Sequence, residues 1–94
     1  MARYTTRVEL HNAKDADYDN LHKYMAEKGF SRIVTSDDGD KYRLPPAEYN
    51  RDTDATRQTV LEDAKQAAAK TGRTNEILVT ESAGRVWHNL TPVK

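Results

Sequence analysis

Two stretches of helical periodicity, Asp15 to Lys28 and about Ala55 to Thr71, each stop at a glycine, Gly29 and Gly72. The segments around them carry apolar residues at every second position. This succession of periods constrains the fold more than any other feature, because a period of 3.6 and a period of two cannot share one element. In the first helix Tyr18, Leu21 and Met25 recur at helical spacing, and Asp15, Asp17 and Asp19 suit the positive end of the helix dipole. In the second, Val60, Leu61, Ala64, Ala67 and Ala68 form the apolar stripe, and Thr53 or Asp54 is placed to cap it.

Tyr4, Thr6, Val8 and Leu10 fall on one side of a first strand, with Thr5, Arg7 and Glu9 on the other. Phe30 to Ser36 reads as a second strand, and Asp37-Asp38-Gly39-Asp40 as a turn into a third, Lys41 to Leu44. Pro45-Pro46 puts that strand at an edge or bends it. Ala47 to Asp52 can continue it past the kink with Tyr49 inward, but its pattern alone does not decide. Asn75 to Thr80 is the most strand-like segment; Ala83-Gly84 turns the chain, and Arg85 to Leu90 returns as a last strand. The reading is a single α+β domain over residues 1–94. It is a ferredoxin-like β-α-β-β-α-β fold with an extra C-terminal strand, an antiparallel sheet with two helices on one face. The other face is left for solvent, a partner chain or a ligand.

Val, Leu, Ile and Phe together number only 15 of the 94 residues, a share low enough to warn of disorder. The usual companion of disorder, a large net charge, is missing: 15 basic residues balance 15 acidic ones. The chain therefore folds on a thin core in which eleven Ala and five Tyr supply much of the packing. A homodimer sharing a sheet edge or face would help so small a domain. The balanced charge argues against a duplex-DNA binder. The absence of Cys excludes disulfides and thiol chemistry. A mean hydropathy of −0.95 and short apolar runs point away from a membrane, and the N-terminus lacks a signal-peptide pattern, so a cytoplasmic, bacterial-type protein is expected.

His11, His22 and His88 stand on three different expected elements with no ligand spacing, and no metal or cofactor is expected. The acidic run at 37–40 reads as a hairpin turn, since the distant Glu of a calcium loop is missing. No nucleophile elbow or Gly-rich phosphate loop occurs. One constellation stands out. If Val8, Ile33, Tyr42 and Leu44 face the helices, Arg7, Arg32, Lys41 and Arg43 share the open face. Such a face can hold single-stranded RNA through its phosphates. The plainer reading pairs these cations with Glu9 and neighbouring acids across the strands. Tyr42 and Trp87 become stacking platforms only if the parity is the opposite one, and Trp87 otherwise reads as packing. His22, in mid-helix beside Lys23, is the candidate proton shuttle for 2′-hydroxyl chemistry, with Lys23 or an Arg to hold phosphorane charge. As a plain helical residue it would simply be exposed.

The segment Tyr24-Met25-Ala26-Glu27-Lys28-Gly29-Phe30-Ser31-Arg32-Ile33-Val34-Thr35-Ser36-Asp37-Asp38-Gly39 resembles the GhoS antitoxin family, a helix running into M-x-x-x-x-F-S-x-I-V and then an acidic hairpin with Gly. The resemblance covers about 16 residues closely and agrees in length and element order. It implies a ferredoxin-like fold related to small CRISPR-associated nucleases, and an endoribonuclease of a type V toxin–antitoxin system that works without a bound metal. The CRISPR-associated relatives place an Asp at the end of the first strand; here that place reads Leu10-His11-Asn12, and a metal site is not carried over. The antitoxins have arginines on the first helix where this chain offers Asn20 and His22, with Lys23 adjacent, so His22 would have to substitute.

Two functions follow as expectations. One is a homodimeric protein binding single-stranded RNA, as a metal-independent endoribonuclease of the antitoxin kind, with Arg7, Lys23, Arg32, Lys41 and Arg43 on the RNA and His22 as acid/base. The other is a non-enzymatic homodimeric interaction module using the open face or an edge strand.

Overall fold

The computed structural model describes residues 1–93. Its elements are β1 (Ala2–Leu10), α1 (Asp15–Glu27), β2 (Ile33–Thr35), β3 (Lys41–Arg43), β4 (Glu48–Thr53), α2 (Arg57–Ala69), β5 (Asn75–Glu81) and β6 (Thr91–Val93). They form an α+β fold of β-α-β-β-α-β order with an extra C-terminal strand. The third expected strand is β3, and the stretch after Pro45-Pro46 whose pattern did not decide is a separate strand, β4. All strand pairing is antiparallel, in two three-stranded sheets of order β4-β1-β5 and β2-β3-β6. A backbone bridge between Ser31 and Asn50, with N–H···O distances of 2.7 and 2.6 Å, joins the two sheets.

β1 lies between β4 and β5, and its alternation sorts the molecule into layers. Tyr4, Thr6, Val8 and Leu10 are buried beneath the helices, while Arg3, Arg7 and Glu9 are exposed. Register places Tyr49 and Val79 on either side of Thr6, and Ile77 beside Val8. Leu21 and Met25 of α1 and Val60, Ala64, Ala67 and Ala68 of α2 close the core, all without solvent exposure. Alanines on α2 let the helix approach the sheet closely, which compensates for the shortage of larger apolar residues. Tyrosines fill the rest with their polar ends satisfied. The Tyr4 hydroxyl donates to the Ala55 carbonyl at 2.8 Å, and the Tyr18 hydroxyl accepts from the Leu10 N–H at 3.0 Å. Arg51, opposite Tyr4, pairs with Asp63 of α2 at 2.8 Å and lies over the Phe30 ring at 5.2 Å.

The helix ends have local causes. The Asp17 carboxylate accepts from the Lys14 N–H at 2.9 Å and holds Arg73 at 3.1 Å. Gly29 ends α1 at φ +88°, a conformation that costs other residues about 1 kcal/mol or more. α2 is capped by Thr56, whose hydroxyl accepts from the Thr59 N–H at 3.2 Å, rather than by Thr53 or Asp54.

Two expectations are corrected. Arg85 to Leu90 is a loop; the last strand is Thr91–Val93, paired to β3 with Tyr42 opposite Pro92. Asn89 at φ +58° interrupts the extended run, and Pro92 is accommodated because β6 is an edge strand. On β2 it is Val34, at 1% exposure, that is buried, while Ile33 is half-exposed. No helix among the described residues is long and apolar enough to cross a membrane.

Candidate nucleic-acid interface

The sheet face away from the helices is not a free cationic surface. Arg3 pairs with Asp52 of β4 at 3.4 Å, and Arg7 pairs at 3.7 Å with Glu9 on its own strand, not across strands. The chain after β5 crosses this face. Arg85 Nη1 donates to Asn50 Oδ1 at 2.8 Å and to Thr5 Oγ1 at 3.3 Å, and its Nε is buried without a partner. Thr5 and Asn50 are register partners at the middle of β1 and β4, so Arg85 covers the centre of the layer expected to be open. Lys41 and Arg43 stand on the second sheet, opposite Thr35 and Ile33 and beyond the Pro45-Pro46 bend. They do not continue a row with Arg7.

Arg32 is the clearest correction. It was expected on the open face, but its side chain is half-buried and donates from Nη2 to the Leu44 carbonyl at 2.6 Å. Its guanidinium perturbs both Tyr49 and His22, groups on the helix side of the main sheet. Burial is the main influence lowering the Arg32 pKa; Tyr49 opposes it and Arg43 adds to it. Arg32 and Arg43 thus sit close enough to repel, and together they line a cleft of about 310 Å³ with Pro45, Pro46, Asn89 and Thr91. Among the described residues no carboxylate pairs with Arg32, Arg43, Lys41 or Lys23. Lys23 is exposed on α1 next to His22.

His22 is half-buried, not a free surface residue. Its Nδ1 lies 2.5 Å from the Tyr49 hydroxyl, and the two rings meet edge to face with centroids 5.6 Å apart. The Tyr49 side chain is fully buried, and burial raises its hydroxyl well above the usual phenol range. That hydroxyl has no other partner among the described residues; when it donates to Nδ1, the neutral ring carries its proton on Nε2. Burial first, and Arg32 second, lower the His22 pKa from 6.5, with Asp19 opposing. Near pH 7 the ring is neutral and offers an N–H donor beside a guanidinium that has no carboxylate partner among the described residues. Tyr49 was missed as a site residue in the sequence; the only signal was its possible inward position after the double proline.

No group of three or more His, Asp or Glu side chains converges as a metal site among the described residues. Compared with known families and curated proteins, the chain matches no family model and no curated sequence.

Proposed function

We propose that the protein binds single-stranded RNA at the Arg32–Arg43 cleft, with Lys23 and the His22 Nε2–H beside it. The observation that carries this reading is the adjacent, carboxylate-free pair of guanidiniums. Like charges held together without a counter-charge cost stability, and a phosphate between them removes that cost. The polar His22 ring and the balanced net charge suit a strand whose backbone touches a few points rather than a duplex. This reading takes the chain as a cytoplasmic bacterial antitoxin of the GhoS kind, acting on a messenger RNA.

Cleavage of the bound strand without a metal is the second part of the reading. It is supported by a histidine kept neutral near pH 7 next to a cation that can hold phosphorane charge. To act as base at Nε2, His22 must carry its proton on Nδ1, with the Tyr49 hydroxyl turned to accept it.

The test is binding of a labelled single-stranded RNA over a salt series. Each phosphate contact contributes to the salt slope, so Arg43→Ala should weaken binding and flatten the slope by about 1. Arg7→Ala, already paired with Glu9, should change neither. A flat salt response in the parent protein sinks the proposal. For cleavage, His22→Ala should abolish strand scission in the presence of a chelator and keep binding.

The rival reading, a homodimeric interaction module, is supported by β5. This seven-residue strand lies at the edge of its sheet and carries Leu78 at 64% exposure, a template for pairing with a second copy. Sedimentation measures it: a dimer dissolved by Leu78→Lys, together with no RNA binding, favours this reading.

A further inference from the structure

A second cleft, of about 610 Å³, opens where the chain after β5 passes the β2–β3 hairpin. Its volume is in the range of small-ligand sites, about 300–1,000 Å³. Six of the residues lining it supply three kinds of chemistry. Trp87 and Tyr42 form an aromatic pair with centroids 5.5 Å apart and planes tilted by 57°. Asp37 and Asp38 are exposed carboxylates at the hairpin turn, and neither forms an ion pair or hydrogen bond among the described residues. Arg3 and Arg85 also line the cleft, and Arg3 is already paired with Asp52 at 3.4 Å. Arg85 is held by Thr5 and Asn50 through Nη1, which leaves its Nη2 without a partner among the described residues.

We propose that this cleft takes one ribonucleotide: its base against the Trp87 indole, its ribose hydroxyls donating to Asp37 and Asp38, and its phosphate on Arg85. A heterocycle gains from a half-buried indole as a stacking platform. Carboxylates accept from vicinal hydroxyls and repel a bare phosphate, which selects a nucleoside unit over an inorganic anion. Arg85 supplies the matching charge for the phosphate. The tilt between Trp87 and Tyr42 makes them a corner instead of a closed sandwich, leaving an indole surface toward the cleft. The choice of a nucleotide rests on the RNA reading, and the site is distinct from the Arg32–Arg43 cleft, with which it shares no lining residue.

Trp87 is the only tryptophan in the chain, so its emission reports on this cleft alone. Adenosine 5′-monophosphate and a single-stranded RNA dodecamer are titrated separately while Trp87 fluorescence is followed, and anisotropy of a fluorescein-labelled dodecamer records RNA binding independently. The expected result is saturable quenching by the dodecamer. Trp87→Ala should weaken dodecamer binding about fivefold to a hundredfold, and Trp87→Phe, which keeps an aromatic surface against Tyr42, should restore most of it. Asp37→Asn with Asp38→Asn, exposed and free of structural contacts, should weaken the ribonucleotide relative to its 2′-deoxy counterpart. Quenching by the mononucleotide without dodecamer binding supports a site for a free nucleotide and discards the RNA reading. Dodecamer binding with unchanged Trp87 emission overturns this inference and leaves the RNA reading standing. Neither signal overturns both.

Discussion

The hydroxyl of Tyr49, on β4, stands 2.5 Å from Nδ1 of His22, on α1, so a helix and a sheet strand 27 positions apart share one hydrogen bond at the edge of the core. The bond couples the ring's tautomer to the orientation of the Tyr49 hydroxyl, and burial, with Arg32, favours the neutral ring.

The His22 ring should therefore titrate below 6.5, read from its Cε1 proton by NMR. Arg32→Gln removes a cation that disfavours the imidazolium, so the midpoint should rise. With the Tyr49 hydroxyl donating to Nδ1, Tyr49→Phe removes a donor to the neutral ring, so the midpoint should rise there too. Because the folded pKa lies below the unfolded one, the stability tied to the neutral ring is complete above about pH 6.5. It is lost as pH falls from there toward the folded midpoint. His22→Gln should flatten the stability profile in that window; an unchanged profile contradicts the assignment.

Asp17 gives a second, separate acid window. Its carboxyl is held below the usual value of 3.8 by the Lys14 N–H, with Arg73 adding to the effect and desolvation opposing it. The folded pKa is the lower one, so this stability is present above about pH 4 and disappears as pH falls through the folded value. Asp17→Asn should lower the chemical-denaturation midpoint at pH 7, and the difference from the parent should shrink as pH falls below 3.8 and through the folded value. Equal differences across that range would count against the linkage.

How far the sequence could be read depended on whether local pattern or distant contact fixed each residue. β1 was legible because strict alternation over Tyr4 to Leu10 leaves one way to bury it, and both helices because Gly29 and Gly72 close them. β2 was misread because Ile33 and Val34 are adjacent and equally apolar; which one turns inward is decided by pairing with β3, where Val34 meets Tyr42. The loop at Arg85–Leu90 has strand-like residues, yet Arg85 is drawn onto Thr5 and Asn50, contacts 80 and 35 positions away. The candidate site was half legible. His22 stood out by its chemistry, but the Tyr49 beside it and the Leu44 carbonyl that holds Arg32 lie on either side of the Pro45-Pro46 bend, whose direction no local pattern records.

The thin core makes packing changes costly in both directions. Leu21 and Ala64 are both fully buried. Leu21→Ala deletes contacts in a cluster with few large side chains and should cost about 2–5 kcal/mol. Ala64→Leu forces α2 away from β1 and should cost about 1–3 kcal/mol. Urea unfolding reads both, as lower midpoints at an unchanged slope. An Ala64→Leu protein as stable as the parent would mean that α2 is not seated on the sheet as described.

Thr6 offers the opposite sign. It is fully buried at the centre of β1, between Tyr49 and Val79, and its hydroxyl has no hydrogen-bond partner among the described residues. A buried, unpaired hydroxyl carries its full desolvation cost. Valine has nearly the same shape, suits a central strand and removes that cost. Thr6→Val should stabilise the domain by about 1 kcal/mol, seen as a rise of about 4–8 °C in the thermal midpoint for a chain of this size. The side chain lies on the helix side of β1, away from Arg43 and Trp87, so RNA affinity should not change. A fall in the midpoint would instead show that the hydroxyl is satisfied in solution and that Thr6 contributes a polar contact inside the core.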